Sequence, residues 1–518
     1  MPHFDLTTEP WIPVRLRDGT AQERSLRSTL IDAHHIQEIF ADSPLQTVAL
    51  YRLLQALTLR IDGLVPADEN DWRRRYEHGS LDASAINAYF DTWQDERECF
   101  DLFHEERPFY QHPEPMTKQV KSVTNLFAGR ASGNNAALFD HAMDEDIQPV
   151  SPAEAARGLV ATQATALAGG KSKPFYYRNA PYVSGAIFWI RGRSLFEALF
   201  LNSPPSPSAR MDEGSTPAWE RAWHAGPVPE AEERPEKGYL DYLTWPSRRI
   251  LLQPKATEDG DIVVRKMKIS QGDSRTDSER DPLMAFKHSE KTGIYPLNLD
   301  RDKALWRDSD VVMQVFSNSG GGTQQGRAPR TIEWVTTGLP EARWWVDVFG
   351  IVNDQAKIER WEHSRMPVYR SIANHSHLQH DLSDALSRAE RQGGTLRRAI
   401  RECAAHLLHK DAGYDDLGKQ ARADARDLAE SLGALQRYWA SLEEPFFRWL
   451  DTLSDASQDT ELLVAEWTRT LYRHAQDAYE GATRSIGDSA HHHRARAAGQ
   501  DHLYPAEAFQ DILTEAGE

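Results

Sequence analysis

Cysteine is almost missing: Cys99 and Cys403 are the only two in 518 residues. They lie far apart in sequence, so neither a CxxC zinc ribbon nor a disulfide framework can be built from them. Both are expected on helices as small buried apolar residues. Long apolar runs are missing too. No stretch approaches the roughly 18 uninterrupted apolar residues of a membrane span, and Met1-Pro2-His3-Phe4-Asp5 lacks the basic and apolar blocks of a secretory signal. A cytoplasmic protein without membrane association is expected. Positive charge is in deficit, with 60 Lys and Arg against 78 Asp and Glu and a net charge of −18. That balance argues against a free-standing DNA binder, which needs an electropositive footprint. It fits an acidic body that docks on other proteins and offers nucleic acid one local basic surface.

Catalytic signatures are absent as well. No GxSxG, HExxH or kinase motif occurs, and His380-Asp381 is an isolated pair without the matching set of a metal phosphohydrolase. The run His491-His492-His493 has no carboxylate or cysteine at ligand spacing and stands beside Arg494 and Arg496. It reads as a solvated loop between helices, not as a metal site. No catalytic residue, metal or cofactor is expected.

What the chain has is length and aromatic content. At 518 residues it exceeds what one hydrophobic core serves, and 15 Trp, 16 Tyr and 18 Phe can fill two. Trp11-Ile12-Pro13-Val14-Arg15-Leu16-Arg17 before Asp18-Gly19 reads as a strand entering a hairpin turn. Asp42-Ser43-Pro44 offers an N-cap and a first-turn proline for an amphipathic helix over 45–61. A second helix is expected over 83–103. Short strands follow at Arg249-Ile250-Leu251-Leu252 and Asp261-Ile262-Val263-Val264-Arg265, between long polar loops. Residues 203–215 and 318–326 read as mobile loops. After about residue 375 the pattern turns helical, with segments near 381–410, 417–454, 459–482 and 504–516. The fold class is α+β, a large irregular mixed α/β N-terminal domain over 1–374 followed by an all-α C-terminal four-helix bundle over 375–518.

The most informative local signal is another absence: residues 155–196 hold no Asp or Glu, where 78 acids in 518 residues would place about six in 42 positions. Arg157, Lys171, Lys173, Arg178, Arg191 and Arg193 fall inside this window, interleaved with Phe175, Tyr176, Tyr177 and Tyr182. Such interleaving suits a surface that meets phosphates and bases; the bland alternative is a buried strand region flanked by solvated cations. A second acid-free stretch, 115–139, carries Lys118, Lys121 and Arg130. Within the first window Thr165-Ala166-Leu167-Ala168-Gly169-Gly170-Lys171-Ser172 misses a P-loop by one residue, with Thr165 where the first glycine belongs. Pro174 follows almost at once and forbids the helix that a P-loop lysine and serine should open. Gly169 and Gly170 read instead as backbone without side chains that a partner can approach closely. Further on, residues 346–352 and 357–361 have strand character around Asn353-Asp354-Gln355-Ala356, predicting a hairpin with Gln355 at its tip.

Several short motifs, in this order and spacing, resemble the large subunit of type I-E CRISPR Cascade, the CasA family. They are Trp11-Ile12-Pro13-Val14, Arg107-Pro108-Phe109-Tyr110-Gln111, Leu126-Phe127-Ala128-Gly129 with Ser132-Gly133-Asn134-Asn135, residues 350–356, and Thr470-Leu471-Tyr472-Arg473-His474. The resemblance covers most of the chain. It implies a non-catalytic subunit that recognises the protospacer-adjacent motif in double-stranded DNA from the minor groove, starts strand separation and helps recruit a helicase-nuclease. The implied partners are other Cascade subunits, CRISPR RNA, double-stranded target DNA and that helicase-nuclease. The family's glycine loop falls on Gly169 and Gly170, with Lys171 and Ser172 where further glycines are usual. Its lysine finger falls on Lys287, after Pro282-Leu283-Met284-Ala285-Phe286, or on Lys291. Its glutamine wedge falls on Gln355, with Asp354 beside it. A loop that meets the guide RNA handle region would begin near Phe139 and His141. Some members hold zinc in a cysteine cluster, which two cysteines cannot form.

A P-loop or metal-dependent nucleic-acid-processing enzyme and a purely structural scaffold are the rival readings. Because Pro174 spoils the P-loop and no metal-ligand set is visible in the sequence, the purified chain is expected neither to hydrolyse ATP nor to cut DNA. Nucleotide turnover that disappears in Lys171→Ala would overturn this expectation.

Overall fold

In the computed structural model the described residues are all except 1, 96, 116, 128–147, 206–214, 222–230, 277–280, 290, 300–303, 314–326, 355–356, 411, 456–459 and 504–518, together with the side chains of 353–357, 359 and 360. The parts of the two polar loops at 206–214 and 318–326 therefore lie outside them. The chain divides into two compact units, one of residues 1–299, 329–335 and 345–366, the other of residues 300–328, 336–344 and 367–518. Small sheets and helices mix in the first, and helices make up nearly all of the second, which is the expected α+β class.

The first unit starts with the expected hairpin. Strand Ile12–Leu16 pairs antiparallel with Ala21–Arg24 on one side and Ile36–Ile39 on the other, and Gly19 makes the turn at φ +89°. Helix Pro44–Arg60 begins where expected, with the Ser43 side chain accepting from the Gln46 N–H and proline in the first turn. It is not amphipathic, however. Fourteen of its seventeen residues are buried, because other elements cover it on every face. Two of its buried polar side chains find partners: Gln55 donates to the Asn202 carbonyl at 2.7 Å, and the Arg52 guanidinium lies 4.2 Å and 4.7 Å from the Tyr182 and Tyr242 ring centres.

The helix expected over 83–103 stops early. Helix Ala83–Phe90 passes into one π-helical turn, Asp91–Asp95, and Cys99 sits in a turn beyond it, buried but not helical. Phe90 and Phe100 meet edge-on at 5.2 Å in an aromatic cluster with Phe109 and Trp219. Packing these rings requires the chain to turn back on itself, and that overrides the helical periodicity. The motif containing Phe109 and Gln111 is structural: Gln111 donates to the Leu102 carbonyl and accepts from the Leu252 N–H. The two short strands expected near 250 and 262 are one long antiparallel pair, Arg248–Ala256 with Ile262–Gln271, and Val120–Ser122 joins its edge.

In the second unit helix Ser376–His409 carries the packing. Trp467 donates its indole N–H to the Ala385 carbonyl and Tyr438 its hydroxyl to that of Ala389. The segment expected as one helix over 417–454 is two, Lys419–Ser431 and Ala434–Leu453, broken at Gly433 in the left-handed region, φ +70°. Helix Thr460–Thr483 follows. The histidine run is not a loop. It forms the first turn of helix Ala490–Gln500, where the Ser489 side chain accepts from the His492 N–H and His492 Nδ1 accepts from the Ser489 N–H. Cys403 is helical and buried, as expected. The segment expected over 504–516 lies outside the described residues.

Helix Ala490–Gln500 lies against its neighbours at Gly499. A Cβ there would meet the Ala399 carbonyl oxygen at 2.6 Å and Cys403 Cβ at 2.9 Å, and no rotamer relieves a clash with backbone. Gly499→Ala is expected to destabilise the helical unit by about 1–3 kcal/mol, read as an earlier denaturant midpoint for the helical signal. An unchanged midpoint would show that this helix is not part of the cooperative unit.

Candidate nucleic-acid interface

Strand Ile187–Ile190 organises the candidate segments. All four residues are buried. On one side it pairs antiparallel with strand Arg343–Asp354, with Val346 opposite Ile190 and Phe349 opposite Ile187. On the other the Phe188 N–H donates to the Leu283 carbonyl and the Ala186 N–H to that of Leu297, at 2.8 Å each. Those two bonds seat both ends of the hairpin Phe286–Ser289 with Gly293–Pro296.

The acid-free window folds mostly into interior, so its cations divide. Arg157 is buried on helix Pro152–Thr165 and donates to Glu23 at 2.6 Å. Arg191 reaches Asp347 at 2.6 Å and Glu38 at 2.9 Å, and Arg193 pairs with Glu197. Arg365 and His363 also approach the Asp347 carboxylate, at 2.9 Å and 3.3 Å. Burial alone would raise the Asp347 carboxyl, but the His363 hydrogen bond and the Arg191 and Arg365 charges outweigh it and hold the group below its ordinary value. This leaves Lys171, Lys173 and Arg178 exposed, all on the segment between Ala166 and Ala180.

That segment is a small ribbon. Gly169 and Tyr177 exchange two backbone hydrogen bonds, 3.2 Å and 2.8 Å, and the Ala180 N–H donates to the Ala166 carbonyl at its base. Gly170 adopts φ +76°, and a Cβ on it would lie 1.7 Å from the Phe175 carbonyl oxygen, so only glycine fits. The helix ends at Thr165, before the glycines, and none starts after Lys171-Ser172. This is the reverse of a P-loop, in which the glycines lead into the helix. Lys121, from the second acid-free stretch, places Nζ 5.0 Å from the Phe175 ring centre, and burial lowers its pKa. Arg178 lies 4.8 Å from the Tyr176 ring.

The predicted hairpin is present and longer than expected. Strand Arg343–Asp354 neighbours Lys357–Tyr369 in the sheet, so two residues join them instead of four. Asp354 ends the first strand, and Gln355 lies outside the described residues. Ala180, Val183, Leu45 and Ile351 form one apolar cluster, against which Ala166, Leu167, Ile358 and Trp361 pack. The base of the glycine ribbon and the hairpin below Gln355 thus share a core. Lys287 lies within a strand, half-buried opposite Tyr295, whereas Lys291 is exposed in the turn that joins the two strands. Phe139 and His141 lie outside the described residues. Sequence reasoning missed Arg248, whose side chain meets the carbonyl oxygens of Leu167 and Arg178, 81 and 70 residues away. No local pattern signals so distant a contact.

The family model described as CRISPR-associated protein Cse1 matches residues 5–478. The chain belongs to the Cse1 family. It is 30% identical over 525 residues to CRISPR-associated protein CasA/Cse1 of Thermus thermophilus, covering 99% of this chain and 98% of that protein. A crystal structure of Thermus thermophilus CasA superposes with a TM-score of 0.79 at 26% identity, covering 99% of this chain and all of that one. A chain from a structure called CRISPR RNA-guided surveillance complex shares the fold, with a TM-score of 0.75 at 22% identity over 97% of this chain and 100% of that one. Among the described residues of this Cse1 chain no group of three or more His, Cys, Asp or Glu is placed to hold a metal ion, and no helix is long and apolar enough to cross a membrane.

The close fit around Gly170 generates a test. Gly170→Ala is expected to leave both units folded while costing the ribbon about 1–3 kcal/mol, read as faster hydrogen exchange at the Gly169 and Tyr177 amides. Native exchange rates at both amides would show that the ribbon tolerates a side chain at this position.

Proposed function

We propose that this Cse1-family chain is the non-catalytic large subunit of a cytoplasmic CRISPR RNA-guided surveillance complex of the Cascade type. In this reading it recognises a short motif in double-stranded DNA from the minor groove, starts strand separation and helps recruit a helicase-nuclease. Gly169, Gly170 and Lys171 form the loop that enters the groove. Lys291 or Lys287 supplies the lysine, and Asp354 with Gln355 the wedge. Phe139 and His141 belong to the region that meets the guide RNA. The observation that carries this reading is the shared apolar cluster, which roots the glycine ribbon and the wedge hairpin in one core. The fold common to this chain and a chain of an RNA-guided surveillance complex supports two of the partners, other Cascade subunits and CRISPR RNA; target DNA and the helicase-nuclease belong to the proposal.

The chemistry is consistent. The minor groove offers mainly the acceptors of A·T and T·A pairs, so a lysine and a close-fitting backbone read it permissively. Guide pairing supplies the remaining specificity, and the heteroduplex is about as stable as the duplex that it replaces. A wedge therefore acts on the initial opening. Pushing a side chain into a base step costs a few kcal/mol of unstacking, and the Gln355 amide, both donor and acceptor, offsets part of it at exposed base edges.

Gln355→Ala in the assembled complex is expected to impair strand opening more than docking, and the defect should shrink on a target mismatched beside the motif. Permanganate footprinting of the displaced strand on matched and pre-opened targets measures this. Equal loss on both would remove the wedge role.

A further inference from the structure

Arg248 is a buried cation without an anion. It is 4% exposed, and no carboxylate among the described residues lies within ion-pair distance of it. Its hydrogen bonds all go to carbonyl oxygens instead. Nη2 donates to Leu167 at 2.6 Å, and Nη1 donates to Arg178 at 2.9 Å and to Ser247 at 2.7 Å. Leu167 lies on the entering arm of the glycine ribbon and Arg178 on the leaving arm, so a single guanidinium ties the two together. The Tyr177 ring centre lies 4.7 Å from the same group. A planar fork of donors can span two acceptors in this way, which a lysine ammonium on its flexible stem does less well.

The rest of the residue is anchored just as firmly. The Arg248 N–H donates to Gln163 Oε1 at 2.9 Å, and Gln163 Nε2 donates back to the Arg248 carbonyl at 2.8 Å. Gln163 belongs to the helix that leads into the ribbon. The cross-strand partner of Arg248 is Gln271, whose N–H donates to the Pro174 carbonyl at 2.8 Å. Three carbonyls of the ribbon, those of Leu167, Pro174 and Arg178, are thereby drawn toward the strand pair. At the tip the N–H groups of Gly170, Lys171 and Ser172 have no acceptor among the described residues, and all three residues are exposed.

We propose that Arg248 is the positioning residue of the glycine ribbon: it holds both arms by their carbonyls and so presents the N–H groups of Gly170, Lys171 and Ser172 as preset donors to base acceptors on the minor-groove floor. This rests on the reading of the ribbon as the groove-entering loop. Setting the donors in advance matters because a mobile loop would have to be ordered at each encounter, which lowers affinity. The buried cation also acts across a low-dielectric interior, which favours electron-rich acceptors at the tip.

The test uses complexes assembled with guide RNA and native, Arg248→Met, Arg248→Lys or Gly170→Ala chains. The probe is a duplex pool randomised at the base pairs flanking the guide-matched segment. Arg248→Met is expected to lower capture of the preferred duplexes about tenfold and to flatten the preference, while weakly captured duplexes and targets pre-opened beside the flank are bound as by the native complex. Arg248→Lys should recover part of the preference, and the melting temperature of the incorporated chain should stay near native. A purely structural role would instead lower capture of every duplex alike. Native preference in a folded Arg248→Met complex overturns the proposal. Should that chain fail to fold, native preference with Arg248→Lys overturns it. If Gly170→Ala loses the preference while the Arg248 variants keep it, the clamp is wrong and the ribbon reading stands. If Gly170→Ala also keeps it, the ribbon reading itself fails.

Discussion

The double-sided burial of strand Ile187–Ile190 is the constraint on which the first unit depends. A strand with all four side chains enclosed must hydrogen-bond along both edges, or it would leave polar backbone stranded in an apolar interior. One edge takes strand Arg343–Asp354, and the other takes the segments around Leu283 and Leu297. Residues as distant as 180, 284, 297 and 351 are thereby brought together. Close approach is needed along this seam: a Cβ on Gly350 would meet Leu299 Cδ1 at 2.4 Å, and one on Gly185 would meet Pro296 Cβ at 2.8 Å. The base of the ribbon shares an apolar cluster with the hairpin that ends at Asp354, and the other hairpin is hydrogen-bonded at both ends to the same strand.

Charge is arranged on the same principle of local exception within a global balance. The chain is strongly acidic, yet Lys171, Lys173 and Arg178 are exposed on the ribbon, while other arginines of the same unit are taken up by acids. Glu38 and Asp347 pair with Arg191, and Glu23 pairs with Arg157. Each of these pairs joins residues far apart in sequence, so burial of the charge and placement of its partner are settled together. Arg248 differs, matched by carbonyl dipoles alone, as Arg52 is by the carbonyls of Tyr242 and Leu243.

Much of the fold was legible. The first hairpin, the Ser43-Pro44 helix start, strand character near residues 250 and 262 and the helical character beyond residue 375 all follow from local rules of turn, cap and periodicity. The failures share one cause. The helix begun at Ala83 ends early because Phe100 must reach Phe90 and Phe109. The helix Pro44–Arg60 looks amphipathic but is enclosed, because periodicity reports which residues are apolar and not how many neighbours arrive. Polarity made the histidine run resemble a loop, although Ser489 and His492 form a helix start that the spacing alone contained.

The sequence by itself determined the family, the absence of a cysteine site, the two glycines in an acid-free window and the hairpin that ends beside Gln355, since each is a property of neighbouring residues. Only the tertiary structure decided which cations of that window stay exposed, that Lys287 lies within a strand while Lys291 lies in the turn, and that Gly170 can be nothing larger. It alone brought Arg248 to both arms of the ribbon. These outcomes depend on atoms from elements tens of residues apart meeting within a few ångströms, and no local pattern of side chains encodes such a distance.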